Sequence, residues 1–200
     1  MFLLKQYPEY IFNFEGAVKY AWMKEYYPAQ YEEMKKFIES GRWHISGASW
    51  DATDTLVPSI ESALRNIMLG QDYYRKEFGV ESTDIFLPDC FGFGWTLPAI
   101  ASHCGLIGFS SQKLQWRNKP FYGNDKYPFT VGLWQGIDGS TIMMTHGYDY
   151  NQRFEDGDLS ENKDLLELTG HSPLHMVYRY YGTGDIGGSP TLESVRAVEK

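Results

Sequence analysis

Several features that would place this chain in other protein classes are missing from its sequence. Its 18 basic residues are outnumbered by 26 acidic ones and form no run or stripe, so the electrostatic footprint of a nucleic-acid-binding protein is absent. No apolar stretch approaches the roughly 20 residues that a membrane-spanning helix needs, and the opening MFLLKQYPEY lacks the cleavage site of a signal peptide. We therefore expect a soluble protein, either cytoplasmic or periplasmic, with no nucleic-acid or membrane partner.

Cysteine is also scarce. Cys90 and Cys104 are too few for a disulfide framework and are not spaced as a metal knuckle. Aromatic residues, by contrast, make up 16% of the chain. Rings that line a sugar or base site and rings that only pack in a core explain this abundance equally well.

The order of strand and helix patterns predicts an α/β architecture. Apolar runs rich in β-formers predict strands at 10–14, 43–50, 85–89, 106–111 and 175–182, and a hairpin over VGLWQGIDGSTIMMTH. Helical patterns begin at Glu15, Pro28 and Ser59 and recur at 97–105, near 160–169 and after Thr191. Alternation of this kind favours a mostly parallel, buried sheet within one α/β domain over residues 1–200.

Polar side chains follow the ends of several predicted strands. Loops at the carboxyl ends of parallel strands converge on one cleft, so these groups are expected to share it. They are Asp89, Gln112, Lys113, His146, Tyr148, Asp149 and Asp185. Structural alternatives exist, since Asp89 could cap the next helix and His146 could be a hydrogen-bonded core residue.

Six blocks of the sequence occur in the same order in the α-mannosidases of glycoside hydrolase family 38, which the chain resembles from about residue 10 onward. They are the run from FNFEG to ISGASW, PSIESALRNIMLGQDYYRKEFGV, LPDCFGFGWTLPAI, SQKLQW, GLWQGIDGSTIMMTHGYDYN and GTGDIGGSPT. The resemblance implies a retaining, zinc-dependent α-mannosidase that hydrolyses terminal α-mannosidic bonds of mannose-containing glycans. The fold implied is an incomplete (β/α)7-type barrel with mostly parallel strands, part of a larger catalytic domain truncated at both ends.

The resemblance places the catalytic roles on two aspartates. Asp89 matches the family's nucleophile, which forms a covalent glycosyl-aspartate and also binds zinc. Asp185, in the Gly-Asp block, is the expected acid/base, although Ile186 stands where some relatives carry a second polar residue. A retaining glycosidase needs two such carboxyl groups about 5–5.5 Å apart.

The substrate-binding roles implied by the resemblance fall on four further residues. Tyr148 and Asp149 match positions that hydrogen-bond the bound sugar, and Lys113 matches a position where relatives carry Arg or Lys. Phe91, Phe93 or Trp95 is expected to wall the sugar site from water, and Trp95 is the ring assigned to substrate binding. A homo-oligomer is compatible with the full-length form.

The remainder of the implied zinc site has no match in the sequence. None of the five histidines belongs to the family's His-x-Asp pair or matches its downstream histidine. Because Asp89 alone cannot supply the roughly four ligands that zinc usually takes, the other ligands are expected outside residues 1–200. We expect these residues alone to be inactive and without tightly bound zinc.

Two alternatives of other classes stay open. One is a different carbohydrate-active enzyme on a similar barrel, such as a metal-dependent polysaccharide deacetylase or an amylase-like hydrolase. The other is an inactive carbohydrate-binding remnant, an alternative suggested by the absence of the other zinc ligands from the sequence. Analysis of reaction products distinguishes the enzymes, and calorimetry with mannose and zinc tests the remnant.

Overall fold

The strands that the structure describes lie in two sheets. The computed structural model describes residues 1–113, 131–146, 153–154, 158–184 and 188–199. In the first sheet, β1 (Phe12–Phe14) and β2 (Trp43–Ile45) pair in parallel. The second sheet has the order β3-β4-β6-β5 and comprises β3 (Asp84–Phe86), β4 (Gly108–Ser111), β5 (Val131–Gln135) and β6 (Thr141–His146).

The prediction of mostly parallel strands is confirmed. In the second sheet β3, β4 and β6 run parallel, and β5 is antiparallel to β6. The hairpin between β5 and β6 was expected from Asp138-Gly139, and Gly139 has the φ of +85° that a tight turn demands. The two sheets meet where the Ala48 amide donates to the Asp84 carbonyl oxygen, 2.9 Å away. Closure of a barrel stays a prediction.

Helices cover both sheets. They are α1 (Phe2–Gln6), α2 (Ala17–Tyr26), α3 (Pro28–Glu39), α4 (Ile60–Phe78), α5 (Leu97–His103), α6 (Lys163–His171) and α7 (Leu192–Glu199), with a 3₁₀ turn at Leu159–Glu161. All but α1 were expected from the sequence. Among the helices of the described ranges, none combines the length and the apolar character needed to cross a bilayer.

The predicted ends of α4 are confirmed. The Ser59 hydroxyl accepts a hydrogen bond from the Ser62 amide at 3.2 Å, which satisfies one of the free donors of the first turn. Gly79 ends the helix with φ +68°, the left-handed conformation that glycine adopts without strain. Between these caps, α4 buries Ile67 and Tyr74.

Two apolar clusters form the core within the described part of the chain. The first joins β1 and β2 to α2, α3 and α4 and contains Tyr20, Tyr31, Met34, Trp43 and Tyr74. The second joins β3, β4 and β6 to α5 and contains Ile85, Leu87, Leu97, Phe109 and Ile142. Much of the aromatic content therefore packs inside the protein, as in the contact where the Trp43 indole donates to the Tyr20 hydroxyl at 3.0 Å.

The strand predicted at 175–182 is wrong. Residues 176–181 belong to no helix or strand, and His175 has φ +50°. The tyrosines of this segment pack through their rings: Tyr180 is buried, 5.7 Å from Phe86 and 5.1 Å from Tyr178 between ring centroids. Side-chain packing of this kind buries aromatic residues without the hydrogen-bond ladder that defines a strand.

Candidate active site

Asp89 and Lys113 meet at the carboxyl edge of the second sheet. β3 and β4 run parallel with Phe86 beside Ser110, so the segments that follow them leave the sheet next to each other. The Leu87 amide continues this contact by donating to the Ser110 carbonyl oxygen at 3.0 Å. Lys113 Nζ then lies 2.5 Å from Asp89 Oδ1. The structure thus joins two residues that were expected to share a cleft.

The Lys113 ammonium is enclosed between a carboxylate and an aromatic ring. Its side chain is 8% exposed, whereas that of Asp89 is 53% exposed. Lys113 Nζ also lies 4.5 Å from the centroid of the Phe91 ring, within the range of a cation–π interaction. A buried cation is costly unless it is paired, and the Asp89 carboxylate is a partner that offsets this cost for Lys113.

Asp89 does not cap the helix that follows it. The N-cap of α5 is Thr96, and the first amide of the helix, that of Leu97, donates to the Gly94 carbonyl oxygen at 3.0 Å. The capping alternative for Asp89 is therefore wrong.

The segment that carries Asp89 is joined to the loop before α4. The Cys90 thiol donates to the Thr53 carbonyl oxygen at 3.0 Å, and the Thr55 hydroxyl donates to the Gly92 carbonyl oxygen at 2.8 Å. Burial, together with the nearby carboxylates of Asp54, Asp89 and Glu15, raises the pKa of the Cys90 thiol to about 11. The thiol is therefore protonated at neutral pH and acts as a donor.

The rings near Asp89 divide between core and surface. Phe93 packs edge-on against Phe109 with 4.9 Å between ring centroids and contacts the second core cluster, and its expected role in walling a sugar site stays a prediction. Phe91 and Trp95 are 70% and 81% exposed. Exposed rings of this size are suited to stacking on a sugar, and the role expected for Trp95 stays a prediction.

A second cluster of charged side chains lies at the carboxyl ends of β1 and β2. Lys19 forms an ion pair with Glu15 and lies 3.7 Å from Asp51, measured from Nζ to Oδ1. The Glu15 side chain is only 19% exposed. Sequence reasoning treated Glu15 as the start of a helix, although its place directly after an apolar strand was a signal of the same kind as that of Asp89.

Three predicted site residues, Tyr148, Asp149 and Asp185, lie outside the described residues. His146 ends β6 and is fully buried, with Ser111 of β4 opposite it in the parallel register. Across the described ranges, no three His, Cys, Asp or Glu side chains come together as a metal site. Among the residues that the structure describes, the fit to zinc is therefore limited to one carboxylate ligand, Asp89.

The sequence is similar to family 38 enzymes along its whole length. A model of the glycosyl hydrolases family 38 N-terminal domain matches residues 1–199. The chain is 36% identical over 199 residues to alpha-mannosidase G of Dictyostelium discoideum, covering 96% of this chain and 17% of that protein. It is 30% identical over 195 residues to human alpha-mannosidase 2C1, covering 94% and 18%. The chain thus spans about a sixth of the length of these curated relatives.

Solved structures of low identity share the fold. An alpha-mannosidase from Enterococcus faecalis V583 aligns with a TM-score of 0.61 and 23% identity over 72% of this chain and 16% of that one. A 4-alpha-glucanotransferase from Thermococcus litoralis aligns with a TM-score of 0.70 and 16% identity over 93% and 29%. Since both identities are low, these alignments bear on the fold and not on the reaction.

Proposed function

Because the chain belongs to the N-terminal domain family of the family 38 glycosyl hydrolases, we propose that it carries the nucleophile of a retaining α-mannosidase acting on terminal α-mannosidic bonds of glycans. The observation that carries this proposal is the Asp89 carboxylate, half-exposed at the sheet's carboxyl edge and paired with a buried Lys113. The α-mannosidase names of the relatives support the substrate class. We further propose that residues 1–200 form an incomplete (β/α)7-type barrel and are part of a larger catalytic domain.

In the proposed reaction, Asp89 attacks the anomeric carbon of the mannosyl residue. The glycosidic bond breaks, and the leaving oxygen takes a proton from a second carboxyl group, which we assign to Asp185. The same group then removes a proton from water, whose oxygen attacks the anomeric carbon and releases Asp89. The anomeric configuration is retained because two inversions occur in sequence.

Lys113 contributes to both steps through its charge. Lys113 binds Oδ1 of the Asp89 carboxylate, so the second carboxylate oxygen is available for the attack. The ion pair also fixes the orientation of the carboxylate. In the second step Asp89 must leave as an anion, and the adjacent ammonium stabilises the charge that develops on it. The same residue therefore orients the nucleophile and assists its departure.

Aromatic and polar groups around Asp89 would hold the sugar. The exposed faces of Phe91 and Trp95 are suited to the apolar C–H faces of a pyranose, and we assign hydrogen bonds to its hydroxyls to Tyr148 and Asp149.

We propose zinc as the cofactor, with Asp89 as one ligand and the other ligands outside this chain. When bound, zinc would hold vicinal sugar hydroxyls and favour the flattened ring of the transition state. Metal analysis of the protein as its gene encodes it should find zinc, and a chelator should remove both zinc and activity. Full activity in metal-free protein would contradict this assignment.

The assignment of Asp89 is tested by trapping the covalent intermediate. A fluorinated mannosyl fluoride slows breakdown of a glycosyl-enzyme, so mass spectrometry should find the adduct on a peptide containing Asp89. Asp89→Asn should lower turnover of an aryl α-mannoside by at least about 10³-fold. Asp72→Asn, which changes an exposed acid on α4, is the matched control and should leave turnover unchanged. An adduct on another residue, or release of acetate or an α-glucan product, would contradict the proposal.

A further inference from the structure

The backbone around Asp89 is fixed by a neighbouring loop as well as by its own strand. Residues 90 and 92 each form a hydrogen bond with the loop before α4. The Cys90 thiol donates to the Thr53 carbonyl oxygen at 3.0 Å, and the Thr55 hydroxyl donates to the Gly92 carbonyl oxygen at 2.8 Å. A Cβ atom on Gly92 would lie 2.4 Å from Leu56 Cδ1, so Leu56 packs directly on this backbone. The loop therefore contacts the segment on the carboxyl side of Asp89 at two successive points.

The loop that makes these contacts is itself ordered by its own side chains. Asp54 Oδ1 accepts a hydrogen bond from the Leu56 amide at 2.7 Å, a local turn that fixes the direction of the chain around Thr55. At its far end, Ser59 caps α4. A loop anchored in this way can transmit the position of α4 to the residues beside Asp89.

We propose that Cys90 and Thr55 are positioning residues that hold the backbone of the Asp89 segment in the geometry needed for attack. The inference rests on the proposed function of Asp89. Lys113 holds the carboxylate group, whereas Cys90 and Thr55 hold the main chain from which the side chain projects. Because a displacement of about 1 Å of a reacting group can cost about 10²-fold in rate, small movements of this segment reduce turnover more than substrate binding.

The chemistry of the two donors allows a test by conservative exchange. Serine in place of Cys90 keeps a donor toward the Thr53 carbonyl oxygen, and serine in place of Thr55 keeps the hydroxyl. Alanine at position 90 and valine at position 55 remove the donors while leaving the volume nearly filled. A purely structural role would lower stability in these variants without separating kcat from KM.

The experiment measures kcat and KM for an aryl α-mannoside in the protein as its gene encodes it. We expect the double variant Cys90→Ala/Thr55→Val to lower kcat by about 10- to 100-fold while KM changes by less than about twofold. Cys90→Ser and Thr55→Ser should each stay within about threefold of the unchanged protein. Cys104→Ala is the matched control, since Cys104 is also a partly buried thiol but lies at the end of α5.

Several outcomes would overturn the inference. An unchanged kcat in the double variant would do so, as would equal losses in the alanine, valine and serine variants. If the double variant does not fold, Thr55→Val against Thr55→Ser decides the question alone. Asp89→Asn is measured in parallel: if that variant is active, the proposed function fails, whereas an inactive Asp89→Asn with a fully active double variant rejects only the positioning role.

Discussion

At the scale of single residues, the Asp89–Lys113 pair determines what the site can do. The Lys113 side chain is almost fully enclosed, and its charge is balanced by a carboxylate that is half exposed. Removing a carboxylate beside a nearly buried cation costs more than the loss of an exposed ion pair. The pair is therefore sensitive to substitution.

Lys113→Met should lower kcat/KM by roughly 10²-fold, because the methionine fills the space but provides no charge for Asp89. Lys113→Arg, which keeps a cation, should lose less. The measurement is steady-state turnover of an aryl α-mannoside. Lys76→Met is the control: Lys76 also pairs with an aspartate, Asp72, but its side chain is 71% exposed and its loss should have no measurable effect. Equal effects of the methionine variants at 113 and 76 would contradict the role given to Lys113.

The sequence was sufficient to select Asp89 and Lys113 as candidate site residues, but not to predict their contact. Each residue could be selected because it follows an apolar run that predicts a strand. Their ion pair depends on the register of β3 and β4, which is a long-range property. Phe91 and Phe93 show the same limit, because nothing local distinguishes the ring on the Lys113 ammonium from the ring in the core.

At the scale of elements, α4 is packed against the backbone that follows β2. A Cβ atom on Gly70 would lie 2.2 Å from the Ala48 carbonyl oxygen and 2.4 Å from the Ser49 carbonyl carbon. The same contact surface includes a hydrogen bond from the Trp50 amide to the Asn66 carbonyl oxygen at 2.8 Å. The loop that contacts the Asp89 segment leads directly into α4. The distance between α4 and the sheet therefore affects the position of the Asp89 segment.

Gly70→Ala should destabilise the protein by about 1–3 kcal/mol, because the methyl group meets main-chain atoms that cannot turn aside. The apparent Tm should fall by several degrees in thermal unfolding followed by circular dichroism. Gly170→Ala is the matched control, since Gly170 lies in α6 with no atom within 4 Å of a Cβ. It should be neutral or stabilising by up to about 1 kcal/mol. A neutral Gly70→Ala would show that α4 can move away from the sheet.

Local signals predicted the elements well wherever the ends were chemically marked. Ser59 and Gly79 identified the ends of α4 because capping involves only neighbouring residues. The strand predicted at 175–182 is wrong, because Tyr180 packs its ring on Phe86 of a distant segment while residues 176–181 form no strand. A segment forms a strand only where a neighbouring strand offers an unpaired edge, and the pattern of the segment alone does not show whether such an edge is present.

At the scale of the whole molecule, Asp84 joins the two sheets of the described residues. Asp84 begins β3, accepts the Ala48 amide on its carbonyl oxygen, and accepts the Gly47 amide on Oδ1 at 3.1 Å. The Ser82 hydroxyl donates to the same carboxylate oxygen at 2.9 Å. Alternation of strands and helices was sufficient to predict parallel sheets, whereas this junction and the closure of a barrel depend on contacts between distant segments.

Buried tyrosines give the molecule a stability that should fall at alkaline pH. Tyr20, Tyr74 and Tyr180 are buried, and burial raises the pKa of each hydroxyl well above its usual range. In the unfolded chain these groups lose their protons near pH 10, so above that pH the native state binds more protons than the unfolded state. The free energy of unfolding is therefore at its full value below about pH 10 and decreases as the pH rises toward the native pKa values.

Tyr74→Phe tests this dependence, because it removes one such hydroxyl and keeps the ring. It also removes the hydrogen bond from the Tyr74 hydroxyl to the Gly47 carbonyl oxygen at 3.2 Å, which should cost about 1 kcal/mol at pH 7. We therefore expect a lower Tm at pH 7 but an alkaline unfolding midpoint shifted to higher pH, measured by near-ultraviolet circular dichroism together with phenolate absorbance. Tyr27→Phe, at a position that is 61% exposed, should change neither quantity. If Tyr74→Phe lowers stability equally at pH 7 and above pH 10, the protonated Tyr74 hydroxyl is not a source of the alkaline loss.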